Sequence, residues 1–162
     1  MARFGMDICV GPFSPGRMIR RLAKIATAHV ESRLESRFRE LDLGFTQWIA
    51  LKVIHDGVVS TAGELARELG ITTGATTRLI DTLEEHDLLF RDRGTADRRV
   101  VKLSLTDAGR KVTAALLPDV INAWTEIFED VDQPEAEAFV ATLKKMFATA
   151  ERLENRAEEV VL

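Results

Sequence analysis

Residues 61–109 leave this chain little freedom, because helix stops, caps and strand alternation follow one another there without a gap. The stretch from 61 to 106 reads TAGELARELG, ITTGATTRLIDTLEEHDLLFR, DRGTADRR and VVKLSLT. Thr61 is an N-cap candidate, and Glu64, three residues on, completes a capping box. Leu65 and Leu69 stand one turn apart on a buried edge, with Ala62 and Ala66 small enough for close packing. Gly70 ends this helix, since glycine accepts the left-handed conformation just past a helix terminus. Ile71 is then an apolar pin, and Thr72 caps a second helix.

The second helix divides its faces at 3.6-residue spacing. Thr76, Ile80 and Leu83 face inward with Leu79 beside them, while Thr73, Gly74, Thr77, Arg78 and Asp81 face out. Hydroxyls, a glycine and an arginine on one exposed face suit a nucleic-acid groove: threonine offers a hydrogen bond of either sense, and arginine pairs bidentately with guanine. A plain polar solvent face has the same composition, so the helix alone does not decide. After Leu88 the pattern changes to alternation, with Val101, Leu103 and Leu105 opposite Lys102 and Ser104. Gly94-Thr95-Ala96-Asp97 turns the hairpin, and Arg91, Arg93, Arg98 and Arg99 gather around it. Adjacent arginines on a hairpin tip are shaped to reach phosphates or a narrow minor groove. Asp97 is spaced to steady the Arg99 guanidinium, and Thr106 caps the next helix. An ordinary charged hairpin is the alternative, but its place after this helix pair favours binding. The order is that of a winged helix-turn-helix, in a chain that is mainly α with a small β wing.

These residues resemble the multiple antibiotic resistance regulator (MarR) family of bacterial transcription factors. The resemblance rests on Leu41-Asp42-Leu43-Gly44-Phe45-Thr46-Gln47-Trp48, Ile71-Thr72, Thr77-Arg78, Ile80-Asp81, Leu83-Glu84, Leu88-Leu89, Arg91, Asp97-Arg98-Arg99 and Leu105-Thr106-Asp107-Ala108-Gly109. It runs from about residue 17 to 155. Its most specific element is Asp-Arg-Arg followed at fixed distance by Leu-Thr-x-x-Gly. Asp87 departs from the glycine usual in the family, though aspartate tolerates that backbone geometry better than most residues; Phe45 departs from a small or polar residue. The resemblance implies a homodimer on a pseudo-palindromic DNA operator, with Thr72, Thr73, Gly74, Thr77, Arg78, Arg91, Arg98 and Arg99 at the DNA and Asp97 supporting the wing. It also implies a small-molecule effector, held between the dimerisation helices and the DNA-binding lobe. Met18, Arg21, His29 and Trp48 are the candidates for that pocket, with Trp48 equally at home in the core. An arginine and an indole together would suit an anionic aromatic ligand such as a phenolic acid.

The flanks fit that picture. Ile19, Leu22, Ile25, Ala26, Val30, Leu34, Phe38 and Leu41 recur near helical spacing, as do Leu117, Val120, Trp124, Ile127, Phe128 and Val131, with Pro118 a candidate kink. Asp132-Gln133-Pro134 interrupts, and Phe139, Val140, Leu143, Met146, Phe147, Ala150 and Leu153 follow. Packing within one chain would cover some of these faces; in the family, first and last helices interlock across a two-fold axis. The expected organisation is an arm over residues 1–14, dimerisation helices over 15–41 and 106–157, a DNA-binding lobe over 44–105 and a tail over 158–162.

A net charge of −4 at first opposes DNA binding. Its distribution answers the objection. Residues 88–111 hold seven Lys/Arg against three Asp/Glu, and residues 112–162 hold four against eleven. Cationic charge therefore collects at the wing, where it displaces counterions from phosphates. Residues 41–87, with three basic against eight acidic side chains, pull the other way. They are what favours the alternative reading, a winged-helix module that binds protein and not DNA.

Other classes find little support. His29, His55 and His86 lie at no metal-site spacing, and no phosphate loop or nucleophile elbow occurs, so neither an enzyme nor a cofactor is expected. Cys9 is the single cysteine, which excludes an intrachain disulfide; it lies ahead of Gly11-Pro12 and Ser14-Pro15, and tyrosine is absent, so redox sensing is disfavoured. No apolar run approaches the roughly 20 residues of a membrane helix, and MARFGMDICVGPF is a poor signal peptide. The expected place is the cytoplasm, and the expected role a repressor released by its effector.

Overall fold

Helix α1 (Pro15–Glu40) opens with proline in its first turn, where a missing N–H costs nothing. The computed structural model describes residues 14–92 and 101–160. Ala26, Val30, Leu34 and Phe38, each four residues apart, form the buried stripe of α1. The earlier apolar residues Ile19, Leu22 and Ile25 stay exposed, Ile25 by 54%. Asp42, at φ 49°, turns the chain into α2 (Phe45–His55), which buries Trp48, Ala50, Leu51 and Ile54. Phe38, Phe45 and Trp48 meet as an aromatic cluster with ring centroids 5.9 to 6.4 Å apart.

Helices α3 (Ala62–Leu69) and α4 (Thr73–Glu85) follow the punctuation of the sequence. Thr61 accepts from the Glu64 amide at 3.2 Å, and the Glu64 carboxylate accepts in return from the Thr61 and Ser60 amides at 3.0 and 2.7 Å. Hydrogen bonds from the backbone and side chain of Ser60, joined by those of Thr61, hold the Glu64 carboxyl below its ordinary range despite the opposing effect of burial. Gly70 takes the left-handed conformation at φ 63°. The wing stem is an antiparallel pair, β1 (Leu89–Asp92) and β2 (Lys102–Leu105), in the register Leu89↔Leu105, Phe90↔Ser104, Arg91↔Leu103 and Asp92↔Lys102. Ser60 and Thr61 add a short third edge: the Leu103 amide donates to the Ser60 carbonyl at 2.8 Å, and Thr61 bridges Lys102.

One junction joins α4, the wing and α5 (Asp107–Ile127). Asp87 ends the α4 turn at φ 55°, the left-handed geometry expected of it. The Thr106 hydroxyl donates to the Asp87 carbonyl at 2.6 Å and accepts from the Gly109 amide at 3.0 Å, so it caps α5 while holding the end of α4. The Thr106 amide donates to the Leu88 carbonyl at 3.2 Å. Gly109 packs so closely on that same carbonyl that a Cβ would land on it. The Leu-Thr-x-x-Gly pattern is therefore the imprint of a backbone-to-backbone contact.

The chain divides into two compact units between Ala123 and Trp124. The first holds the core, where Leu34, Leu51, Leu65, Ile80, Leu83, Leu89 and Leu116 are almost wholly buried. The second begins in the last turn of α5, where Trp124 and Phe139 each stack near Phe128, at 6.3 and 5.8 Å. Asp132 and Glu135 cap each other's amides at the start of α6 (Gln133–Val160). What reads in the sequence as a mere interruption is thus a reciprocal cap. Val140, Met146, Phe147 and Leu153 of α6 are exposed, Phe147 by 62%. Among the described residues no helix is long and apolar enough to cross a membrane.

Gly109→Ala tests the junction. With backbone below and no flexible side chain to yield, it should cost at least the 1–3 kcal/mol typical of overpacking, about a few degrees or more in Tm. An unfolding midpoint in urea equal to that of the parent would contradict the packing.

Candidate nucleic-acid interface

Helix α4 is placed so that one face is locked and the other is free. Thr76, Ile80 and Leu83 are buried, while Thr72, Thr73, Gly74, Thr77 and Arg78 are exposed on its first two turns. Thr72 caps the helix by accepting from the Ala75 amide at 3.3 Å. The outward face thus carries the positive end of the helix dipole together with Arg78. Among the described residues no side chain stands over Gly74, and a Cβ there would meet nothing, so its smallness answers to no contact with them.

The hydroxyls on this helix are already oriented. Thr77 Oγ1 donates to the Thr73 carbonyl at 3.0 Å, and Thr76 Oγ1 to the Thr72 carbonyl at 3.0 Å. With its proton so engaged, Thr77 presents a methyl group and acceptor lone pairs outward. That leaves it suited to accept from an exocyclic amine of cytosine or adenine, and to touch a thymine methyl.

The wing tip with Asp97, Arg98 and Arg99 lies outside the described residues, as does Arg93. Arg91 is described, and it is engaged within the protein. Its Nη2 lies 2.7 Å from Asp81 Oδ1, its Nη1 pairs with Glu84 Oε2, and its amide donates to Glu84 Oε1 at 2.8 Å. Partial burial works against the Arg91 charge, but the hydrogen bonds and negative charges of Asp81 and Glu84 outweigh it and raise its pKa further. Asp81, placed by periodicity on the outward face, turns instead to the wing stem.

The four effector-pocket candidates are not gathered by a single chain. Trp48 packs on Phe38, which lies 20 residues and so about 30 Å along α1 from Met18. Met18 and Arg21 are exposed at the far end of that helix, and His29 is half-buried between. A straight helix cannot bring both ends to one small pocket. Phe38, from the apolar stripe of α1, and Phe45 are the rings that pack on Trp48. The Trp48 indole Nε1 is buried and finds no acceptor among the described residues. Such a group costs about 1–3 kcal/mol when left unpaired.

Residues 41–100 match the model of the MarR family. The fold is that of solved structures from this family. MarR of Escherichia coli in its apo form superposes with a TM-score of 0.68 at 24% identity, over 85% of this chain and 98% of that one. BpsR of Bordetella bronchiseptica, solved for the mechanism by which 6-hydroxynicotinic acid regulates its DNA binding, gives 0.64 at 23% identity, over 81% and 96%. A MarR family protein of Mycobacterium tuberculosis in complex with p-aminosalicylic acid gives 0.67 at 20% identity, over 82% and 97%.

Proposed function

From the match of residues 41–100 to the MarR family model we propose that the protein is a homodimeric, sequence-specific DNA-binding regulator of transcription, acting in the cytoplasm as a repressor released by a small molecule. The observation that carries the reading is the outward face of α4. Its inner residues are locked in the core, while Thr73, Gly74, Thr77 and Arg78 are exposed, and a Cβ at Gly74 would meet nothing among the described residues. Arg78 and Thr77 read base edges in the major groove, and Thr73 and Gly74 lie against the backbone at its lip. Arg99, steadied by Asp97, enters the minor groove, with Arg98 on the phosphates.

The exposed apolar residues of α1 and α6 support the dimer. Ile19, Leu22 and Ile25 on one helix, and Val140, Met146 and Phe147 on the other, are apolar side chains about half exposed in the single chain, and contiguous exposed apolar surface marks an interaction site. A two-fold dimer presents two copies of α4 to half-sites about one helical turn apart. The effector acts on that spacing, because losing one half-site loses most of the avidity. An aromatic acid is the proposed class: relatives of this fold bind p-aminosalicylic acid or answer to 6-hydroxynicotinic acid, and the buried Trp48 Nε1 has no acceptor among the described residues, one that a carboxylate or phenol would supply.

Binding to a duplex from the DNA upstream of the protein's own gene, followed by anisotropy at physiological salt, tests the DNA reading. The parent should bind; Arg99→Ala should weaken binding by about 1–3 kcal/mol without lowering Tm, and Arg78→Ala should relax preference at one symmetric pair of positions. No binding by the parent would refute the regulator and favour the protein-interaction alternative. Equal affinity for Arg99→Ala would remove that residue from the groove.

The effector reading is tested by titrating salicylate into the protein–DNA complex. Release should need a lower concentration for the parent than for Trp48→Phe, which keeps an aromatic ring but lacks the N–H. Equal release from both places the site away from Trp48, and no release from either removes aromatic acids as the effector class.

A further inference from the structure

Strand alternation places Arg91 on the inner face of the wing stem. In the register of β1 and β2, Arg91 stands opposite Leu103 and shares its face with Leu89 and Leu105, all three leucines being buried. Phe90, Asp92 and Lys102 lie on the other face and are exposed. An arginine on the inner face points at the helix packed beneath the sheet. Here that helix is α4, and it offers two carboxylates one turn apart, Asp81 and Glu84, which receive the two ends of the guanidinium.

We propose that Arg91 is a positioning residue that ties the base-reading helix to the wing stem, so that α4 and the stem meet DNA as one rigid unit. The proposal rests on the DNA-binding reading above and deepens it, because it takes Arg91 out of the set of DNA contacts and into the frame that aims them. Two features make the tie stiff. The planar guanidinium bridges two carboxylates with separate nitrogens, and the Arg91 amide adds a third bond to Glu84 at 2.8 Å. Rotation of the wing stem against α4 would break all three together. A wing stem fixed against α4 docks together with it; a loosely hinged one must be oriented at a further entropic cost.

The same contacts bear on the charge of the lobe. Asp81 and Glu84 follow the groove-facing residues on α4 and would repel phosphates if left unpaired. Arg91 answers both from within the protein. Its cationic charge is thus used to cancel a local repulsion and is not free to displace counterions.

Two variants separate positioning from direct contact. Arg91→Lys keeps the charge, which would satisfy a phosphate, but a single ammonium cannot bridge both carboxylates with the arginine geometry. Asp81→Asn combined with Glu84→Gln removes two negative charges near DNA, which by electrostatics alone should tighten binding. Positioning predicts that each variant binds an operator duplex about tenfold more weakly. It also predicts that the slope of log affinity against log salt stays that of the parent, since no phosphate contact is lost. The amides of residues 89–92 and 102–105 should exchange faster in both variants without DNA present. Either variant binding as tightly as the parent, or a slope reduced by about one, overturns the proposal. Failure of the parent to bind any duplex would instead sink the regulator reading, whereas unchanged amide exchange in the free variants sinks the tie itself.

Discussion

The backbone carbonyls of Asp87 and Leu88 are the point on which the geometry of the lobe depends. Thr106 donates to both, once from its hydroxyl and once from its amide, and Gly109 rests on the second. Through them the end of α4, the start of β1 and the first turn of α5 become one piece. These are backbone contacts in a packed core, where slack of a fraction of an ångström is hard to absorb. The arrangement also fixes residue types: a left-handed residue at 87, a short hydroxyl at 106 and no Cβ at 109. Any displacement of the first turn of α5 is transmitted directly to the end of α4.

Much of this is legible in the residues. The capping box of Thr61 and Glu64, the stop at Gly70, the cap at Thr72 and the buried set Thr76, Ile80 and Leu83 all depend on neighbours within one or two turns. Local chemistry decides such features, so local reading finds them. Arg91 is harder. As one of four arginines around a hairpin it looks like a DNA contact, and its partners Asp81 and Glu84 lie ten and seven residues away. Yet a signal exists: Arg91 has the same strand parity as Leu89, and inward parity next to an acidic helix face indicates an internal ion pair. Asp42 at positive φ has no such signal.

The proposed effector residues show the opposite limit. Grouping Met18, Arg21, His29 and Trp48 requires knowing how far apart α1 holds its two ends, and composition contains no distances. The rise of a 26-residue helix separates Met18 from the Phe38–Trp48 cluster. What remains at that cluster is a buried indole N–H without an acceptor among the described residues, a feature visible only in three dimensions. The exposed stripes of α1 and α6 lie between these cases: their periodicity is plain, and what covers them is part of the proposed dimer.

The central claim is that two copies of the α4 face read duplex DNA together. Selection of bound fragments from a library of random duplexes by the full chain, at physiological salt, measures this with no operator chosen beforehand. The account predicts enrichment of a two-fold symmetric motif whose half-site centres lie about one helical turn apart. Recovery of no motif, or of a lone half-site without its symmetric mate, would contradict it.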